Sequence, residues 1–203
     1  MEMGIKVNTV LIADNMTDLQ LVNRIWNLFN KQTNLTKLTL LLRPEVPTFS
    51  IPTKTLNSMR KLEHFTIFFG HIHELPSFAF SAHLKEIIIT GSGITRIAKH
   101  CFHNLPNLEL LQLNENAICE LRQDMFVRLP SLKKLILCNN NISCIQDGTF
   151  SYLTNLTELH LDSNSLVSLP NVIFEELGHL KALMLDKNKF ECFDDYFFKP
   201  LGC

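Results

Sequence analysis

The chain has 203 residues, enough for one sizeable domain or a short repeat array. Apolar residues make up 46 % and charged residues 19 %, which excludes a disordered chain. Lysine and arginine number 19 against 20 aspartates and glutamates, a net charge of −1 that lacks the basic excess of a nucleic-acid footprint.

The N-terminus reads Met1-Glu2-Met3-Gly4-Ile5-Lys6. A secretory signal needs a basic start and then about 7–15 apolar residues. Here Glu2 is acidic, and Asn8 and Thr9 interrupt the apolar run, so no secretion signal is read. The chain is then intracellular or a piece of a longer protein. No run of about 18 apolar residues is present, so no segment is expected to span a membrane.

Val7, Val10, Ile12 and Asn15 open a first unit of about 28 residues. After Thr17, an N-cap candidate, Leu21, Ile25, Leu28 and Phe29 fall on one face at helical spacing. A second unit of 27 residues carries Leu35, Leu38, Leu40, Ile51, Leu56 and Met59, with its extra length around Pro44–Thr48. A third, of 22, carries Leu62, Phe65, Ile67, Ile72, Leu75 and Phe80. A fourth, of 24, carries Leu84, Ile87, Ile89, Ile94, Ile97, Phe102 and Leu105.

From Leu108 the beat becomes strict. Four successive 24-residue segments, starting at Leu108, Leu132, Leu156 and Leu180, fit L-x-x-L-x-L-x-x-N-x-[apolar]-x-x-[apolar]-x-x-x-x-F-x-x-L. The L-x-L core has period two and reads as a short strand with its leucines inward. The asparagine then turns the chain, its amide bonding backbone groups that the turn leaves unpaired. The F-x-x-L segment returns on the far side and plugs the core. No unit can bury its apolar face alone, so stability comes from stacking.

With these motifs the chain resembles leucine-rich-repeat proteins of the 24-residue type, common among Toll-like receptor ectodomains, small leucine-rich proteoglycans and Slit-like proteins. The expected fold is a right-handed α/β solenoid filling residues 1–203 as one domain. Eight units start near 7, 35, 62, 84, 108, 132, 156 and 180. A parallel sheet lines the concave face, and the convex segments are short helices, turns or extended chain. Extracellular members normally seal both ends with cysteine-rich flanks, and no cysteine precedes Val7. Asn188–Cys192 faintly resembles a cap, but Phe193, Phe198 and Leu201 continue the ordinary repeat to Cys203. The ends are read as uncapped, and the chain as a fragment.

The asparagine column runs Asn15, Arg43, Gly70, Ser92, Asn116, Asn140, Asn164, Asn188, so the ladder is expected to break over the units that lack Asn. On the concave face, Leu41, Leu42, Phe68, Phe69, Ile88 and Ile136 place apolar side chains where water should be, and such patches mark interaction sites. The alternative is that Phe68 and Phe69 fold into the core. Further along lie Gln112, His160 and Met184, with Glu115, Glu158, Asp162 and Asp186 as an acidic end. The expectation is a protein ligand whose apolar centre meets the patch and whose basic rim meets the acids.

Cys119 and Cys144 lie one unit apart and are candidates for a disulfide; Cys138 is expected to be a lone concave thiol and Cys101 a packed one. N-x-S/T sequons stand at Asn15, expected to be buried in the ladder column, and at Asn34, Asn141 and Asn155, glycan candidates if the chain is secreted. His64, His71 and His73 share a unit, with no carboxylate at ligand spacing except Glu74, so no metal is expected. No phosphate loop, nucleophile elbow or triad appears, and no cofactor or enzyme activity is implied. The reading is a protein-binding module of an extracellular receptor or a secreted immune or matrix protein, or alternatively a cytoplasmic interaction scaffold.

Overall fold

A computed structural model describes residues 9–13, 26–27, 34–42, 48–191, 198 and 201. In chain order the elements are β1 (Thr9–Ala13), β2 (Lys37–Leu41), α1 (Thr53–Ser58), β3 (His64–Phe68), β4 (Glu74–Leu75), β5 (Glu86–Thr90) and β6 (Arg96–Ile97). Then come β7 (Leu110–Gln112), β8 (Glu120–Leu121), β9 (Lys134–Ile136), β10 (Cys144–Ile145), β11 (Glu158–His160) and β12 (Ala182–Met184). An eight-stranded sheet runs β1-β2-β3-β5-β7-β9-β11-β12, and every pair is parallel. Two short ladders, β4 with β6 and β8 with β10, form on the way out of the turns. The result is the expected parallel-sheet solenoid.

Register is set by the inward residues. Leu38 stands opposite Phe65, Phe65 opposite Ile87, and Ile87 opposite Leu111, and the row goes on through Leu135, Leu159 and Leu183. From Leu38 to Leu159 every member of that row has no exposure at all. The uneven units keep this register: Lys37 still faces His64, and His64 still faces Glu86. A one-residue slip would turn the inward row out to water, so length differences must be absorbed outside the sheet. In the second unit that segment includes α1, which buries Thr55 and Leu56 and leads to buried Met59. The sequence does not announce this helix, because apolar spacing over six residues is too short to show a helical period. Of the helix expected after Thr17, only Trp26 and Asn27 are described, and both are helical. Its other residues lie outside the described set, as do Pro44–Pro47, Phe193 and Cys203. Phe198 and Leu201 pack on the core.

On the side away from the sheet, phenylalanines stack unit upon unit. Ring centroids are 5.6 Å apart for Phe80–Phe102, 6.4 Å for Phe102–Phe126 and 6.2 Å for Phe126–Phe150. Each ring contributes roughly 2–3 kcal/mol by burying apolar surface that its own unit could not shield.

The asparagine column supplies the polar counterpart. Asn140 Nδ2 donates to Leu113 O and Leu137 O, both at 3.0 Å, and to Cys138 O at 3.3 Å. Its Oδ1 accepts the Ile118 N–H at 3.1 Å. Asn164 and Asn188 repeat this pattern one and two units on. Asn116 reaches back to accept both Ser92 N–H and Ile94 N–H. Upstream the ladder stops, as expected. Ser92 is fully buried and its hydroxyl donates to Thr90 O. At Gly70 the column is filled by carbon: a Cβ there would lie 3.1 Å from Leu42 Cδ1 and 3.2 Å from Phe49 Cε1. Asn15 and Arg43 lie outside the described residues.

Asn140→Ala would remove four hydrogen bonds in a buried turn, leaving the Ile118 N–H without its acceptor while each of the three carbonyls keeps one other donor. Urea denaturation should show a loss of about 3 kcal/mol. Ser92→Ala, which removes one bond, should lose about 1 kcal/mol; equal losses would mean that the ladder is not the main polar tie.

Candidate functional site

The outward positions of the long sheet form four rows across the strands. From β2 onward the first row is Lys37, His64, Glu86, Leu110, Lys134, Glu158 and Ala182, and most of its charges pair within it. His64 Nδ1 lies 2.7 Å from Glu86 Oε2, and Lys134 Nζ lies 2.8 Å from Glu158 Oε1, with His160 Nε2 at 3.8 Å from the same carboxylate. Flanking it, Glu63 pairs with Lys85 and Glu109 with Lys133, at 2.9 and 2.7 Å. The lysine hydrogen bonds hold both carboxyls below their ordinary pKa.

The second row is Thr39, Thr66, Ile88, Gln112, Ile136, His160 and Met184, matched one to one by the register. Ile88, Gln112, Ile136 and His160 are half-buried, and Met184 is exposed. The third row begins with Leu41 beside Phe68, continues through Thr90, and reaches Asn114, Cys138, Asp162 and Asp186 just past the strand ends.

The fourth row makes the turn. Phe69, Gly91, Glu115, Asn139, Ser163 and Lys187 all have φ between 53° and 61°. This left-handed region is comfortable for Gly and tolerated by Asn, but for a bulky side chain it is strained. Phe69 is the exception in that series. Its backbone N–H donates to Thr90 O at 3.0 Å, which locks the turn. Its ring lies over Gly91, where a Cβ would fall 2.8 Å from Phe69 Cδ1. Gly91 is thus required twice, by its own φ and by the ring above it. Phe69 is 43 % exposed and Leu41 38 %, and the Phe68 ring lies 6.4 Å from that of Phe69.

Phe68 and Phe69 therefore stay out of the core. Leu42 does not join them. It is buried at 4 % exposure and fills the space at Gly70, because the residue after the strand here turns inward where other units place their asparagine. Sequence inspection missed the strain at Phe69; the available signal was a phenylalanine in a column otherwise held by Gly, Glu, Asn, Ser and Lys.

The acidic end divides in two. Glu158 is tied to Lys134, whereas Glu115, Asp162 and Asp186 form no ion pair among the described residues. Between them sits Cys138. Partial burial raises its pKa, and the Asp162 carboxylate pushes it up further. Cys119 and Cys144, candidates for a disulfide, are both exposed free thiols. β8 pairs with β10 so that Cys144 faces Glu120, leaving Cys119 one residue out of step. Neighbouring residues along an extended chain point to opposite sides. Cys101 is buried, which holds its thiol well above the ordinary pKa.

The histidines do not converge. His64 is engaged with Glu86, while His71 and His73 line a separate cleft of about 280 Å³ with Thr48, Ile72, Ser92 and Gly93. Among the described residues no three His, Cys, Asp or Glu side chains are grouped to hold a metal. Asn34, Asn141 and Asn155 are exposed. Asn155 Nδ2 already donates to Pro130 O at 2.8 Å, and Asn34 Oδ1 accepts from Lys61 Nζ. Asn15 lies outside the described residues.

On this face, Phe69→Asn should leave the thermal midpoint unchanged or raise stability by about 1 kcal/mol, since Asn relieves the left-handed strain; a clear loss would make Phe69 a packing residue. Gly91→Ala should lose about 2 kcal/mol. Iodoacetamide at a pH of about 7.5 should alkylate Cys119 and Cys144 well before Cys138, and Asp162→Asn should speed Cys138; a Cys138 that reacts first would contradict the charge reading.

The leucine rich repeat family model matches residues 82–137, 130–190 and 154–201, more than half of the chain. No curated protein matches by sequence. Among solved structures, the TLR13–ssRNA13 complex is 32 % identical with a TM-score of 0.75, over 88 % of this chain and 25 % of that one. The ectodomain of the Arabidopsis thaliana receptor kinase GASSHO1/SCHENGEN3, in complex with CASPARIAN STRIP INTEGRITY FACTOR 2, is 24 % identical with a TM-score of 0.69, over 87 % and 21 % of the two chains. The Drosophila Toll–Spatzle complex is 19 % identical with a TM-score of 0.65, over 79 % and 26 %. The chain thus spans about a quarter of these receptors. Their ligands include both proteins and RNA, so the charge-based expectation against nucleic acid gains no support from them. Among the described residues no helix is long and apolar enough to cross a membrane. The stacked parallel strands, the asparagine ladder and the family match agree: the chain belongs to the leucine-rich-repeat family.

Proposed function

We propose that this chain is a ligand-binding part of an extracellular leucine-rich-repeat receptor or secreted immune or matrix protein, and that it holds a protein partner on the outer face of its long sheet. The reading rests on one observation above all: Leu41 and Phe69 are exposed and the half-buried Phe68 lies between them, with Phe69 held in a strained turn. Exposed aromatic side chains on a rigid frame are the usual anchors of protein interfaces. Strain retained at an exposed position is a mark of function, because relaxation by substitution is easy. A binding role fits a face on which, among the described residues, no hydroxyl or thiol is hydrogen-bonded to a histidine ring.

The near-balance of charge favours a protein over RNA, which would ask for a basic stripe. The cell-surface setting is supported by the receptor neighbours and by the exposed sequons, of which Asn141 has the least committed side chain. One observation favours the second reading, an intracellular scaffold: the described cysteines are free thiols.

Phe68→Glu should abolish capture of an identified protein partner while the melting temperature stays within a few degrees of the parent. A matching loss of folding, or unimpaired capture, would overturn the assignment of this face. Displacement of the partner by mixed-sequence single-stranded RNA would redirect it to nucleic acid. Secretion-competent expression should add a glycan at Asn141, removed by Asn141→Gln; an unglycosylated chain would favour the scaffold.

A further inference from the structure

The protein-binding reading leaves open what kind of segment the face accepts, and the rows narrow it. Four of the five titratable side chains of the first row are paired within it, His64 with Glu86 and Lys134 with Glu158, leaving Lys37 on β2. A partner lying there would have to break those pairs. The third and fourth rows are different. At one end they carry Leu41, Phe68 and Phe69, at the other Asp162 and Asp186, acids without an ion pair among the described residues. Between them lie Thr90, Asn114 and Cys138 in the third row and Gly91, Asn139 and a third unpaired acid, Glu115, in the fourth. The edge where the strands turn is thus apolar at β3 and carries unpaired carboxylates from β7 onward, with two of the three, Asp162 and Asp186, at β11 and β12 beside Lys187.

From β3 to β11 there are four strand steps. At about 4.8 Å per step this is roughly 19 Å, the reach of about six residues of extended chain. We infer that the edge formed by the third and fourth rows accepts an extended protein segment running across the strands, with an apolar anchor seated on Phe68 and Phe69 and basic side chains about six residues away on Asp162 and Asp186. This rests on the protein-binding reading and goes further by fixing the chemistry, the spacing and the edge that is used. The unpaired acids would give the basic end its charge partners without disturbing the paired first row.

Fluorescence anisotropy with labelled synthetic peptides and the whole chain tests it. One peptide joins Trp-Leu to Arg-Arg through about five Gly/Ser residues; a second uses one residue; a third keeps the long spacer but ends in Glu-Glu. Each is made in both chain directions. The long Arg peptide, in one direction, should bind about tenfold more tightly than the other two. The Asp162→Asn/Asp186→Asn double variant should bring it to the level of the short one and flatten its salt dependence. Phe69→Asn should weaken long and short peptides alike. Affinity that ignores spacer length, or a Glu peptide that binds as well, would overturn the inference. If that happens while Phe68→Glu still abolishes capture of a protein partner, the binding face stands and only this use of it falls; if Phe68→Glu has no effect either, both fall.

Discussion

Where a parallel strand ends and the chain turns across the top of a repeat, backbone groups face one another in a space closed to water. Each buried asparagine amide answers that shortage with a donor that serves carbonyls in two units and an acceptor for an N–H in the unit before. A buried carbonyl without a partner loses more than an ordinary hydrogen bond gains, so the column governs the turn more firmly than leucine packing alone would. With the turn set, successive strands are brought back into register, and the inward leucines and the phenylalanine stack can meet their counterparts in the next unit. The apolar core supplies most of the stability, but the amide column decides where each strand stops.

The upstream units build the same turn without the amide. At Gly70 the volume is taken by Leu42 and Phe49, a carbon solution to a polar position. With Leu42 drawn in, the apolar surface left at the end of β3 is Phe68 and Phe69. The turn still requires a left-handed residue, and here that residue is aromatic. Its ring can lie flat only because the next unit offers Gly91 beneath it. A break in the ladder and an exposed phenylalanine beside a half-buried one are therefore one structural event, in which the substitution inside the turn and the display outside it are joined by the same few residues.

Charge is distributed with similar economy. Glutamates and lysines along the first row and its flank neutralise one another between units, which suits the near-zero net charge. Exposed pairs of this kind add little stability. Their larger effect is to silence that side of the sheet, so that the acids near Cys138 stand out against a neutral background. The same arrangement is felt by the Cys138 thiol, whose protonated form is favoured by burial and by Asp162.

The repeat was legible in the sequence because its signal is periodic: Leu, Leu, Asn and Phe recur at set intervals, and each recurrence tests the others. Parallel strands, the inward rows, the ladder and the place where it fails can all be read from spacing, since period two fixes which side chains face the core. Placement within the irregular units cannot. Leu42 and Phe69 hold the same position, just past the strand, in two neighbouring units, and only the packing of Phe49 and the φ of the turn send one inward and the other out. The one-residue register offset between β8 and β10 that sets Cys144 opposite Glu120 is equally invisible in two cysteines that look matched along the chain. Sequence alone determined that the chain stacks repeats and which face is left open, through apolar burial that only stacking can satisfy; tertiary structure alone decided which side chains on that face meet water, through local backbone angles and the space left by neighbours in the adjoining unit.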